Sequence, residues 1–407
     1  MAFTPSSPLT VDGVPVADVV APESAEHAAA LLREAADRGH GVVPTGRGTQ
    51  LALGNPPRRA DLAVSTANLG GILDYEPTDL VLSVGAGARL GDVQAVLGEH
   101  GQWLPIDPPG GDDATIGGLI ATALTGPRRL ASGSLRDLLI GITVAHATGT
   151  VSKAGGMVVK NVSGFDMPRL YHGSLGTLGV VVSANFKVLP RSRAERTVVS
   201  RHPDLRGALA AAERMRESRV PATGLEVATD GTGARAAVRI EARDSTLPPL
   251  VTETERLCGG DQETLATEAS RAWWAAEAEP FRLSGAGDDV IVRCTARPRD
   301  AAEMVRSVLS ALGPLEVEVR RLAASPAVGE ATLRLALAGG SSAALAAVQA
   351  ALLGVARHVT ILAAPAAAKA DIDVWGPLPE GHAVMASLKA QFDPDNVLNP
   401  GRFAGRL

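Results

Sequence analysis

At 407 residues the chain exceeds one small domain, so two or three domains are expected. Its 45% hydrophobic content supports real cores, and 3% aromatic residues with 44 glycines favour mixed helix and sheet rich in Ala, Val and Leu. A net charge of −5 without a basic block leaves no nucleic-acid footprint, and two cysteines (Cys258 and Cys294) exclude a disulfide framework or a self-contained iron–sulfur cluster.

The opening stretch MAFTPSSPLTVDGVPV has no basic-then-apolar pattern, so no signal peptide is read and a cytoplasmic location is expected. The longest apolar run, around 343–356 and broken by Gln349, falls short of the roughly 20 residues of a membrane span. Helical spacing of Ala29, Leu31, Leu32 and Ala35 predicts a helix over 26–38, stopped by Gly39. Val42-Val43-Pro44 is a short strand that empties into Thr45-Gly46-Arg47-Gly48-Thr49. Consecutive N–H groups in such a turn can form an anion-binding nest; a plain tight turn is the alternative. No GKS or GKT follows, which rejects a Walker-type loop.

Strands are expected over 61–65 and 80–84. The second runs into Gly85-Ala86-Gly87-Ala88-Arg89-Leu90-Gly91, a mimic of the dinucleotide-binding fingerprint. Three residues rather than two precede its third glycine, so an NAD site is set aside. A helix over 90–97, a strand over 102–106 and a rigid loop from Asp107 through Pro108 to Asp113 follow. Ala114-Thr115-Ile116-Gly117-Gly118 then opens an apolar helix reaching Leu124. N–H groups at a helix start suit phosphate, while a Gly-Gly pair also serves close packing. Arg128, Arg129 and Arg136 lie in a polar Gly/Ser loop before a strand over 138–145 and a hairpin turn at Gly149-Thr150.

Residues 153–189 carry glycines at 155, 156, 164, 173, 176 and 179, each an entropic cost that regular structure avoids. The expected path is strand, turn, a short helix opened by Asp166 and ended by Gly173, a Gly-Ser turn, and one strand of residues 180–182 and 186–189 around 183–185, half alternating and half buried. Such glycines let backbone N–H groups approach a phosphate or flavin closely. Pro190–Arg193 reads as a linker. From about Thr197 strands over 236–240, 290–294 and 331–337 alternate with Ala-rich helices over 205–217, 300–312 and 342–353. That pattern predicts an antiparallel sheet covered by helices. Trp273-Trp274 reads as core, 363–369 as a loop, and 382–392 as a closing helix.

KNVSGFDMPRLYHGSLGTLGVV resembles the flavin-domain signature of FAD enzymes of the vanillyl-alcohol oxidase/PCMH type. Pro44–Thr49, Ala114–Thr122, Phe392-Asp393-Pro394 and Leu398-Asn399-Pro400-Gly401-Arg402 fit that family in its order. Within it, residues 126–129, 133–137 and 160–164 are most similar to a glycolate oxidase subunit. The resemblance covers about the first half of the chain and its last dozen residues. It implies an α+β fold: a two-subdomain FAD-binding domain over 1–192, an α+β cap domain over 193–370, and a segment over 371–407 returning to the first. It also implies FAD, held non-covalently, because Gly48 and Thr49 leave no tethering His. Its implied contacts are Pro44, Thr45, Gly46, Arg47, Gly48, Thr49, Pro108, Thr115, Gly117, Gly118, Thr122, Ser134, Asn161, Gly176, Gly179 and Val180.

The resemblance further implies oxidation of a small 2-hydroxy acid such as glycolate, alongside a catalytic flavoprotein subunit and an iron–sulfur subunit. That chemistry needs a base for the hydroxyl proton and a cation for the carboxylate. Related catalytic subunits supply them through His-Pro-x-Gly-Asp-Gly-Asn and Glu-His-Gly segments, and neither is here. Among eight histidines only His172 lies inside a flavin motif, leaving Arg128, Arg129 and His172 as candidates. No metal-ligand spacing occurs. The preferred reading is therefore an FAD-binding accessory subunit; a stand-alone dehydrogenase of the D-lactate type is the alternative. A flavin-free scaffold is disfavoured by the intact 46/48, 117/118 and 176/179 glycine sets.

Overall fold

A computed structural model describes residues 9–158, 164–283 and 287–407. The chain divides into two units: Met1–Leu124, Ser134–Arg191 and Asp373–Leu407 form one, Thr125–Gly133 and Ser192–Ile372 the other.

In the first unit Ser24 caps the helix Ala25–Asp37 by accepting from His27 N, and the helix buries Ala28, Ala29, Leu32 and Ala35 on one face. That face packs on Val42, Val64, Ala145, Val180 and Val182, together with Val397 and Leu398 from the chain's end. Asp18–Val20, Leu62–Ser65 and Val42–Thr45 make a parallel sheet with Leu62–Ser65 in the middle. An antiparallel sheet runs in the order Val151–Gly155, Leu139–Ala145, Val180–Lys187, Val81–Gly85, Ile72–Glu76. Its core carries Phe186, Leu82, Ile142 and Tyr171 against Ile116, Leu119 and Ile120 of the helix Ile116–Thr122.

Several expectations change here. The strand expected over 180–189 is continuous from Val180 but ends at Lys187, paired on both sides, while Leu189–Pro190 pairs elsewhere. The strand expected over 102–106 shortens to Gln102–Trp103, because its partner is only Leu189–Pro190 and Pro105 offers no N–H. The dinucleotide mimic is a packing device. A Cβ at Gly85 would run into the Leu69 carbonyl and one at Gly87 into the Thr66 carbonyl, so these glycines admit neighbouring backbone.

Among the described residues the second unit holds one antiparallel sheet of eight strands. Ala194–His202, the helix Leu205–Glu217, Ala222–Thr229, Ala234–Ala242, the helix Leu247–Cys258 and Asp261–Ala266 form a strand–helix–strand–strand–helix–strand unit. Val290–Thr295, the helix Ala301–Leu312, Val317–Ser325, Glu330–Leu337, the helix Ser342–Leu353 and His358–Ala363 repeat it. Each half orders its strands fourth, first, third, second, and the halves join through their second strands. The helix Leu205–Glu217 has the bounds expected from sequence. Asp204 caps it, and Ala208, Leu209, Ala211, Ala212 and Met215 form its buried stripe.

The added helix Thr267–Ala278 buries Trp274 against Val199 and Ala237, in line with the core reading of the Trp pair. Trp274 Nε1 donates to Thr197 Oγ1 (2.8 Å), Thr197 Oγ1 lies 2.7 Å from Ser270 Oγ, and Ser270 Oγ donates to Glu195 Oε1 (2.5 Å). The sequence assigns 125–133 to the first domain; the structure places it in the second unit. Arg128 is ion-paired there with Glu195 (3.1 Å) and Glu241, and Arg129 with Glu330 (3.2 Å).

Both thiols are buried, which pushes Cys258 up to about 11 and Cys294 up to about 12. Thiolate is the reactive form, so native protein at pH 8 should show no fast thiol reaction with Ellman's reagent and two thiols after unfolding in urea. A rapid native titration would contradict this packing.

Candidate functional site

The site begins at the carboxyl end of a parallel strand, where open α/β sheets place their ligands. Val42–Thr45 ends there, and residues 46–50 turn away from it. Among the described residues the N–H groups of Gly46, Arg47, Gly48 and Thr49 donate no hydrogen bond. Gly48 sits at φ 76°, which lets consecutive N–H groups converge on one side. Arg47 is exposed and makes no ion pair among the described residues.

A second wall is the helix Ile116–Thr122. Thr115 caps it by accepting from Gly118 N (3.3 Å), and Ala123 ends it at φ 54°. A Cβ at Gly46 would run into Thr115 Oγ1, so this wall closes against the loop's bare backbone. Thr122 Oγ1 lies 2.6 Å from Gln50 Oε1, and Gln50 Nε2 donates to Pro109 O (3.2 Å). The third wall, Leu175 and Gly176, holds left-handed φ values of 52° and 67°. It is fixed by Gly173 N to Ile120 O and Leu175 N to Ala121 O, both 2.8 Å. Asn399 and Arg402 supply the fourth wall.

These walls enclose a cleft of about 530 Å³, its open mouth included. Pro44, Thr45, Gly46, Arg47, Gly48, Thr49, Thr115, Gly118, Thr122 and Gly176, all expected from sequence, line it together. Gln50, Ala121, Leu175, Asn399 and Arg402 line it too and were not assigned. The Leu398–Arg402 motif held the signal for two of them. Asn399 Nδ2 donates to Leu175 O (2.5 Å), while its Oδ1 has no partner among the described residues. Arg402 is buried, which pulls its guanidinium down to about 10, and its Nη2 donates to Leu51 O (2.7 Å) and Leu53 O (2.5 Å).

Other expected contacts are not among the lining residues. Gly117 turns toward Ala86: its N donates to Ala86 O (2.8 Å), and a Cβ would lie 2.9 Å from Ala86 Cβ. Ile116 N likewise donates to Ala88 O (3.0 Å), so the N–H groups expected to be free at this helix start are already bonded. A Cβ at Gly179 would collide with Val144 Cγ1, and Val180 is core. Ser134 N bonds Asp137 Oδ2 (2.8 Å) at the start of the helix Leu135–Leu138, and Pro108 O accepts from Gly111 N (3.0 Å). Asn161 lies outside the described residues.

Arg128 and Arg129 belong to the second unit, and His172 to the first. His172 follows the helix Met167–Tyr171, and its Nε2 has no partner among the described residues. Burial, reinforced by Arg136, pushes its ring down to about 4, so it is neutral at pH 7. No cluster of three His, Cys, Asp or Glu side chains fit for a metal occurs among the described residues. No helix among them is long and apolar enough to cross a membrane.

A cradle of unbonded N–H groups beside a cationic mouth fits a nucleotide cofactor's phosphates, and the comparisons name that cofactor. Residues 16–165 match the FAD binding domain, and 378–403 match the C-terminal domain of FAD linked oxidases. The chain therefore carries an FAD-binding domain of the FAD linked oxidase type. It is 42% identical over 154 residues to the glycolate oxidase subunit GlcE of Escherichia coli, covering 38% of this chain and 43% of that protein. It is 31% identical over 187 residues to GlcD of Bacillus subtilis (46% and 40%) and 33% over 175 residues to a D-lactate dehydrogenase of Archaeoglobus fulgidus (43% and 39%). These matches span less than half the length of each relative. A solved structure of alkyldihydroxyacetonephosphate synthase shares the fold, with TM-score 0.71, 15% identity, and coverage of 94% of this chain and 75% of that one.

Gly117→Val should lower stability by about 1–3 kcal/mol through the clash with Ala86. Urea unfolding of the flavin-free protein checks this, and unchanged stability would mean Gly117 does not pack as described. His172 gives a pH test. Its folded value of about 4 lies below the ordinary 6.5, so the unfolded chain takes up the proton first. The stability from the neutral ring is present above pH 6.5 and lost as pH falls toward 4. His172→Gln should flatten the decline of Tm across that window; an unaltered slope would show a freely titrating ring.

Proposed function

We propose that this chain is the FAD-binding accessory subunit of a glycolate oxidase complex, taking part in oxidation of glycolate to glyoxylate. One observation carries the cofactor's placement. Four successive backbone N–H groups, Gly46 to Thr49, have no partner among the described residues and stand beside the unpaired Arg47. The FAD pyrophosphate is assigned to this nest, with Thr115, Thr122, Gly176 and Asn399 walling the rest of the cofactor. Held there, FAD would supply redox chemistry, passing electrons from the catalytic subunit's flavin toward the iron–sulfur partner. The chain's own residues bind and orient it.

The similarities to GlcE, GlcD and a D-lactate dehydrogenase support a 2-hydroxy acid as substrate class. The accessory role rests on the candidate side chains. Arg128 and Arg129 are ion-paired with glutamates of their own unit, and His172 is a half-buried imidazole pushed down to about 4, a weak base for a hydroxyl proton. The base and the carboxylate anchor are therefore assigned to a second, catalytic flavoprotein subunit. An iron–sulfur partner carries the electrons onward, since the two buried cysteines here cannot hold a cluster. A cytoplasmic location, peripheral at the inner membrane through its partners, belongs to the same reading. A second reading, a stand-alone 2-hydroxy-acid dehydrogenase, is favoured by the D-lactate dehydrogenase similarity alone.

Three measurements test this reading. Acid precipitation should release all flavin into the supernatant, and a yellow pellet would refute non-covalent binding. Arg47→Ala should raise the FAD dissociation constant roughly tenfold and leave the melting temperature of the flavin-free protein unchanged. Mixed anaerobically with glycolate or D-lactate, the isolated chain should keep its flavin oxidised, with bleaching only after the catalytic subunit is added. Rapid bleaching of the lone chain would establish the stand-alone dehydrogenase instead.

A further inference from the structure

The geometry points to Lys389 and Asp393 as positioning residues of the cofactor cleft, a buried ammonium–carboxylate pair that ties two of its walls together. Lys389 Nζ donates to Thr177 O (3.0 Å), Leu398 O (2.8 Å) and Asp393 Oδ2 (2.5 Å). An ammonium has three protons, so every donor is used. Thr177 follows Gly176 in the third wall, and Leu398 precedes Asn399 in the fourth. One nitrogen thus sets the distance between two segments more than 200 residues apart, as the separation of 212 between Lys389 and Thr177 shows. Asp393 completes the arrangement, with Oδ1 accepting from Val397 N (3.0 Å) and Oδ2 from Leu398 N (2.8 Å).

The segment so held is conformationally demanding. Asn396 and Asn399 both sit at positive φ, 50° and 45°, which a branched or unclamped chain avoids. Asn399 spans the same gap through its Nδ2 bond to Leu175 O (2.5 Å). Val42 N to Val397 O (2.7 Å) and Asn399 N to Val42 O (2.8 Å) then register the segment against the strand that feeds the N–H nest. Folding alone does not require an ion pair at this place. The side chains are 8% and 0% exposed, and a buried pair recovers little net stability over well-packed apolar residues. What an apolar residue cannot supply is three directed donors to two cleft walls and the carboxylate between them.

This inference rests on the reading that FAD occupies the cleft, and the test separates the two. The full chain is purified as wild type, Arg47→Ala, Lys389→Met and Lys389→Met/Asp393→Asn, then stripped of flavin and titrated with FAD. Flavin fluorescence and the visible spectrum are followed, with thermal unfolding of each flavin-free protein. Lys389→Met leaves a buried carboxylate unpaired and is expected to lose both stability and flavin affinity. The double variant removes that charge. It should return to within a few degrees of the wild-type Tm yet bind FAD at least tenfold more weakly, with shifted flavin bands. A double variant with wild-type affinity and spectrum would overturn the positioning role while leaving the cofactor site intact. So would a double variant that fails to fold, since the pair would then be a folding element. A wild-type chain that binds no FAD would overturn both readings, whereas an Arg47→Ala chain of undiminished affinity would count against the pyrophosphate placement only.

Discussion

The cofactor cleft depends on a backbone exchange at the N-terminal end of a single strand. Val42 donates to Val397 O and accepts from Asn399 N, so residues 397–399 lie alongside Val42 as a parallel extension of the sheet. Neither segment builds a wall by itself. The strand delivers the Gly46–Thr49 turn, and the returning segment delivers Asn399 and Arg402. Backbone polar groups buried at such a junction must be satisfied, and here they are satisfied by each other and by the Lys389–Asp393 pair. The last residues of the chain are therefore part of the first unit's core, where Val397 and Leu398 are completely buried.

The second unit follows another constraint. Doubling a strand–helix–strand–strand–helix–strand unit across its second strands gives a wide sheet, and one face of it carries charge. Burial alone would push Glu195 up, yet the Ser270 hydroxyl with the Arg128 and Arg239 guanidiniums holds it below the ordinary carboxylate value. Arg239 also stacks 4.6 Å above the Trp274 ring. Buried charges stay only where each has a partner, and this network supplies them. It also explains why Thr125–Gly133, whose Arg128 is one of those partners, packs with this unit although the chain around it belongs to the other.

Much of the fold was legible in sequence where periodicity was strong. The helices Leu205–Glu217 and Ser342–Leu353 have the bounds expected of them, because the apolar stripe each buries is set residue by residue within one turn of helix. Strands such as Ala222–Thr229 and Val317–Ser325 were missed: threonines, a glycine and arginines blur their alternation, and only pairing partners far along the chain make them strands. The candidate site divides in the same way. The 45–49 turn announced itself through two glycines and a guanidinium in one short stretch. Gly117 and Gly179 looked alike on paper and proved to be packing contacts, since a glycine does not reveal which neighbour needs its missing side chain.

By itself, the sequence determined the class of structure, the FAD-type motifs and the absence of a disulfide or cluster framework, because each is written in local spacing and residue counts. Tertiary structure decided which glycines face the cleft, that Arg128 and Arg129 are engaged by glutamates of the second unit, and that His172 is neutral. It also decided that Asn399, Arg402 and Lys389 belong to a site begun more than 300 residues earlier, as the 351-residue separation of Arg402 from Leu51 illustrates. The physical reason is that burial, charge pairing and hydrogen-bond satisfaction depend on what arrives from elsewhere in the chain. Local pattern fixes a residue's conformation, and only packing assigns its neighbours.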